Sequence, residues 1–159
     1  MPETPIRDLL STGAVRVGLP APSKAAVLDG VVDLLAGHPA VLDLDGIRAD
    51  VHAREARMST GVGSGLAIPH ARSGGVTGTA AAFAVTAEPV GFGAIDGEPV
   101  QLVFLLVGPE RERAHHLVWL SRVSRLMNRA GFRADLLAAK TPEAVLDAFA
   151  LEESSMAAA

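Results

Sequence analysis

The 159-residue chain contains no cysteine. That absence removes disulfides, thiolate chemistry and cysteine-based metal sites together. A long apolar run is also missing: the longest, Leu102–Val107, has the length of a strand and not of a membrane span. The N-terminus has no basic region leading into an apolar stretch, so no signal peptide is expected. Excess positive charge is lacking as well. Net charge is −4 and the isoelectric point about 5.7, which leaves no electrostatic footprint for nucleic acid. What is present is 49% hydrophobic and 20% charged, the balance of a globular chain with a full core. A cytoplasmic protein of one domain, residues 1–159, is the expectation.

The chain alternates between strand and helix signals. Residues 1–12 read as a short leader, and Val15-Arg16-Val17 as a first strand. Ser23 is an N-cap candidate for a helix over 24–36, with Val27, Leu28, Val31, Val32, Leu34 and Leu35 on its apolar side. Gly37-His38-Pro39 ends it. A second helix is expected over 45–58, with Asp45 as cap. Residues 66–68 and 80–87 read as strands. The uniform run at 100–107 predicts a central strand buried on both faces, and Asp96-Gly97 is a hairpin-type turn signal before it. Three helices follow, over 113–128, 131–139 and 142–150. Thr141-Pro142-Glu143 opens the last with a cap and a proline at the first helical position. The core is expected over about residues 5–150 and the tail 152–159 to be disordered. The fold class is α/β, with helices covering a sheet.

One segment concentrates chemistry: Gly61-Val62-Gly63-Ser64-Gly65-Leu66-Ala67-Ile68-Pro69-His70. Glycines leave backbone N–H groups open to an anion. Pro69 fixes its own φ and biases Ile68 toward extended geometry, so His70 leaves a strand in a defined direction. An imidazole beside anion-binding backbone suits a phosphoryl carrier. Two helices add polar residues on apolar faces. Ile47, Val51 and Met58 share a stripe to which Arg54 belongs, so its guanidinium is expected to point inward toward an anion. His116 falls near the middle of the buried face set by Leu117, Trp119, Leu120, Val123, Leu126 and Met127. It also sits in a first helical turn, where the dipole disfavours imidazolium and favours an anion.

Each candidate has a plainer reading. His70 can be a loop histidine bonded to backbone, Arg54 a core-edge arginine paired with Asp50 or Glu55, His116 a satisfied core histidine and Ser64 a small turn residue. His38, His52 and His115 are read as having no chemical role. Other chemistries lack their motifs. The glycine spacing is not that of a dinucleotide loop, and no Gly-Lys-Ser/Thr marks a nucleotide loop. Ser64 is not in a nucleophile elbow, and the histidines lack zinc-site spacing, so no metal is expected.

The stretch Ser59–His70 resembles the Thr-Gly-Ile-Gly-x-Gly-Ile-Ala-Ile-Pro-His signature of enzyme IIA domains of the bacterial phosphoenolpyruvate-dependent sugar phosphotransferase system, fructose/mannitol type. That group includes the nitrogen-related regulatory IIA proteins. Arg54-Glu55 falls at the family's Arg-Glu position, residues 96–106 resemble its Asp-Gly-x-Pro-Val strand, and His116-Leu117 its second histidine. Ala71 and Ser64 depart from the commoner residues. The resemblance implies a three-layer α/β/α fold with a mixed sheet. It also implies that His70 accepts a phosphoryl group from the carrier protein HPr and passes it to a cysteine of enzyme IIB, itself fused to or associated with membrane-bound IIC. Arg54, His116 and the turn Gly63-Ser64-Gly65 are then the expected phosphate-binding groups, with no cofactor, no nucleic acid and no membrane insertion. The alternatives are a regulatory IIA protein with the same chemistry, or a non-catalytic anion-binding module.

Overall fold

Val100–Pro109 runs through the middle of the sheet in the computed structural model, which describes residues 4–10 and 12–158. With Val15–Leu19 as β1, Gly61–Gly63 as β2, Leu66–Ala67 as β3, His70–Ser73 as β4, Ala80–Val90 as β5 and Val100–Pro109 as β6, the order is β1-β5-β6-β3-β2. β4 also pairs with β6. The sheet is mixed: β1–β5, β3–β6 and β4–β6 are parallel, while β5–β6 and β2–β3 are antiparallel. Every residue from Leu102 to Val107 is buried, because both faces of β6 carry helices.

Side-chain alternation separates two apolar clusters. On one face Ala80, Ala82, Ala84, Val103, Leu105 and Val107 meet the helices Lys24–Asp33 (α2) and Leu44–Arg57 (α3). Alanines on this side of β5 leave room for the helices to lie close. On the other face Ala81, Phe83, Leu102, Phe104 and Leu106 meet Arg113–Met127 (α4), Ala130–Ala138 (α5) and Pro142–Ala158 (α6). Phe149 sits edge-on to Phe83, Phe104 and Phe132, with ring centroids 5.4, 5.9 and 5.0 Å away, a favourable aromatic geometry. The result is a three-layer α/β/α arrangement. Among the described residues no helix is long and apolar enough to cross a membrane.

Several expectations need correction. Residues 6–9 of the supposed leader form a helix, α1 (Ile6–Leu9), whose Ile6 is buried; residues 1–3 and 11 lie outside the described ones. The cap of α3 is Asp43, whose carboxylate accepts from Gly46 N at 3.0 Å; Asp45 falls inside the helix. Ser23 caps α2 as expected. Met58 does not extend the buried stripe. α3 stops at Arg57, so Met58 is extended and 71% exposed. The tail is helical, because α6 continues to Ala158 and its acids are held. Glu153 accepts from Ile6 N at 2.8 Å and pairs with Arg122, while Glu152 pairs with Arg129 at 2.9 Å.

Candidate functional site

Pro69 has no N–H, so it cannot continue the ladder that β3 makes with β6. The chain keeps one bond there, from Leu106 N to the Pro69 carbonyl at 3.0 Å, and rejoins β6 as β4 with His70 opposite Leu106. Ile68 is pinned by its N–H, which donates to the Thr60 carbonyl at 3.0 Å. Its own carbonyl meets His70 Nδ1 at 2.7 Å. A carbonyl only accepts, so Nδ1 carries the proton and Nε2 carries the lone pair.

His116 reaches the same place from the first turn of α4. It is 5% exposed, and its ring centroid lies 5.9 Å from that of His70. Neither of its ring nitrogens has a hydrogen-bond partner among the described residues. A buried polar atom without a partner is costly, so the ring is an unmet demand aimed into the site. Gly108 makes room for it: a Cβ there would lie 2.9 Å from His116 Nδ1.

Arg54, half-buried at the end of α3, donates to the Met58 carbonyl at 3.0 Å. Neither carboxylate weighed as its partner takes it. Asp50 accepts from the Ser73 hydroxyl at 2.6 Å, and Glu55 is turned inward. His70, His116 and Arg54 line one cleft of about 400 Å³, together with Arg57, Arg72 and Arg113. Arg72 is steadied by the Glu110 carbonyl at 3.1 Å. Four guanidinium groups against the one carboxylate of Asp50 make the cleft an anion site in an acidic chain. Both imidazoles are held neutral. Burial, with the Arg54 charge beside it, pushes His70 below the usual histidine value, against its backbone bond and Glu55. Burial, then His70, Arg72 and His115, push His116 down to about 4.

The glycine turn is not part of this cleft. Leu66 stands opposite Leu102 and His70 opposite Leu106, four residues along β6, so the turn begins about 13 Å or more from His70. Gly63, Ser64 and Gly65 all have positive φ, at 100°, 57° and 77°. They close the β2–β3 hairpin, and Ser64 N donates to Asp96 Oδ2 at 2.9 Å. A carboxylate already occupies the Ser64 N–H, and none of the three residues lines the His70 cleft, so the expectation that they hold phosphate there is not met.

Sequence reasoning overlooked Arg57, Arg72, Arg113 and Gly108, and weighed Glu55 only beside Arg54. Three of these had a signal: Arg57 is three residues beyond Arg54 in a helix, Arg72 two beyond His70 in a strand, and Arg113 three before His116 in a helix, hence on the same faces. Glu55 had none. Its buried carboxylate accepts from Thr60 N at 2.6 Å and from the Thr60 hydroxyl, and meets Lys24 Nζ at 3.2 Å. It ties the end of α3, and so Arg54, to the strand that leads into the hairpin. Of the histidines set aside, His115 accepts from Trp119 Nε1 at 3.0 Å, His52 meets Asp29 at 2.8 Å and His38 accepts from Ala40 N at 3.0 Å.

A neutral histidine with a free Nε2 lone pair in an arginine-lined cleft, on a three-layer fold with a mixed sheet, is an arrangement able to hold an anionic group. The family described as "Phosphoenolpyruvate-dependent sugar phosphotransferase system, EIIA 2" matches residues 8–151, and the chain belongs to it. A nitrogen regulatory protein of Pseudomonas aeruginosa is 36% identical over 140 residues, 88% of this chain and 91% of that protein. The fructose-specific EIIABC component of Bacillus subtilis is 33% identical over 142 residues, 89% of this chain but 22% of that longer protein. The solved structure of nitrogen regulatory protein IIA-Ntr from Neisseria meningitidis matches with a TM-score of 0.84 at 33% identity, covering 91% of this chain and 98% of that one.

Proposed function

We propose that His70 is the residue that carries the phosphoryl group, and that it does so through Nε2. The observation that carries this reading is the 2.7 Å bond from His70 Nδ1–H to the Ile68 carbonyl. It fixes the tautomer and turns the Nε2 lone pair toward the cleft. In the transfer, that lone pair forms a bond to phosphorus while the donor's phosphorus–nitrogen bond breaks in line with it. The His70 ring then gains positive charge, which the Ile68 carbonyl stabilises through Nδ1–H. Arg54 and Arg72 neutralise the charge on the equatorial oxygens, and neutral His116 donates one N–H to an oxygen. The unpartnered nitrogens of His116 support this role, since the incoming group supplies the partner the fold withholds.

In this reading the donor is the phosphohistidine of HPr and the acceptor a cysteine of enzyme IIB, with fructose- or mannitol-type uptake downstream and the cytoplasm as the place of action. The Bacillus subtilis EIIABC component, which joins A, B and C components in one relative, supports the pairing with IIB and its association with a membrane-bound IIC. A second reading, a regulatory IIA protein of the nitrogen-related branch, is supported by the match across 91% of the Pseudomonas aeruginosa protein. Incubation with phosphoenolpyruvate, enzyme I and HPr tests the shared chemistry by intact mass. One acid-labile phosphoryl group is expected on the wild type and none on His70→Ala; labelling that survives the substitution refutes it. Discharge on adding a fructose-type or mannitol-type IIB separates transport from regulation. A chain that takes no label at all is the non-catalytic anion module.

A further inference from the structure

A second cavity, about 420 Å³, opens beside the other half of α4, between that helix, α5 and the β2–β3 turn. This volume lies within the range of small-molecule sites. Its lining includes two arginines and no carboxylate. Arg133 donates Nη1 to the Met127 carbonyl at 2.9 Å, which anchors its guanidinium at the end of α4. The rest of its N–H groups have no protein partner among the described residues. Arg125 makes no hydrogen bond or ion pair among the described residues, and the same holds for the side chains of Ser124 and Asn128 beside it. The opposite wall is apolar, with Leu66 and Ile68 buried and Val62 left 51% exposed.

Two uncompensated guanidinium forks facing apolar residues specify the occupant. A dianion matches both charges, and a planar fork grips phosphate oxygens two at a time. The apolar wall requires a carbon skeleton attached to that head. Ile68 belongs to both sites: its side chain lines this cavity, while its carbonyl holds His70 Nδ1.

We propose that this cavity is a second binding site, taking a small phosphomonoester with its phosphate on Arg125 and Arg133 and its carbon skeleton on Val62, Leu66 and Ile68, and that occupancy reaches the His70 ring through Ile68. Binding here does not depend on His70 being phosphorylated. The test is an NMR titration of the full chain with phenyl phosphate, inorganic phosphate and phenol. Phenyl phosphate is expected to shift the amides of residues 63–66 and 124–128 with one midpoint, more tightly than inorganic phosphate, and phenol to shift none of them. Arg125→Gln and Asn128→Asp are each expected to weaken it by about tenfold or more, with the remaining amide spectrum showing the native fold. An unchanged midpoint in both variants overturns the site. So do shifts confined to the His70 cleft, or phenol binding as well as its phosphate ester. The His70 ring resonances are expected to move with the same midpoint; a ring that stays still while the amides titrate overturns the coupling.

Discussion

His116 makes the stability of this protein depend on pH in a direction and amount that the structure sets. Its ring is buried without a hydrogen-bond partner among the described residues and lies beside His70 and Arg72, so the folded state resists its protonation and holds its pKa at about 4. In the unfolded chain the same ring titrates near 6.5. Between those values the unfolded chain binds the extra proton, and stability falls as the solution is acidified. At about 1.4 kcal/mol per pH unit, the full effect is about 3 kcal/mol, present above pH ~6.5 and exhausted near pH ~4. Most of it, about 2 kcal/mol, is lost between about pH 7 and about pH 5.

Urea unfolding at both pH values, on the wild type and on His116→Gln, measures it. Other groups titrate in the same range. His70 is shifted in the same direction, so the quantity of interest is the difference between the two proteins. The variant is expected to lose about 2 kcal/mol less than the wild type on acidification. Equal losses would refute the account, as would a His116 ring titrating at the ordinary histidine value by NMR.

Other substitutions probe neighbouring parts of the site. Gly108→Ala puts a Cβ 2.9 Å from His116 Nδ1; it should displace the ring, cost about 1–3 kcal/mol and slow phosphoryl transfer, read by urea unfolding and a label time course. Glu55→Gln removes the charged acceptor of Thr60 and the partner of Lys24, with an expected loss of about 2 kcal/mol in the same unfolding assay. Arg54→Lys should slow transfer with little change in melting temperature, because a point charge does not replace the planar fork. Ser64→Gly relieves a positive φ of 57° while keeping the backbone bond to Asp96, so it should stabilise by about 1 kcal/mol and leave the transfer rate unchanged. A slowed transfer in that variant would return the turn to the phosphoryl site.

What the sequence shows best is what short-range physics decides. Uniform burial of Leu102–Val107 marks a strand covered on both faces, Ser23 caps α2, and helical period alone aims His116 inward. What it conceals depends on partners far along the chain. Ser64 N is taken by Asp96, 32 residues away, so the glycine turn that looks open to an anion is already satisfied. The tail reads as polar and frayed until Glu152 and Glu153 meet Arg129 and Arg122, and Glu153 meets the amide of Ile6. The most informative segment is legible and misleading at once, because its glycines and its histidine do different jobs. The glycines turn the chain back on itself at one end of β6. Pro69, lacking an N–H, then breaks the ladder and lets the strand rejoin β6 at Leu106. The Ile68 carbonyl lies on the other side of the strand, where Ile68 N meets Thr60, and His70 Nδ1 takes it. The Ile68 carbonyl therefore sets which nitrogen of His70 keeps its lone pair, and the arginines and histidines that line the cleft come from α3, β4 and α4 in place of the loop.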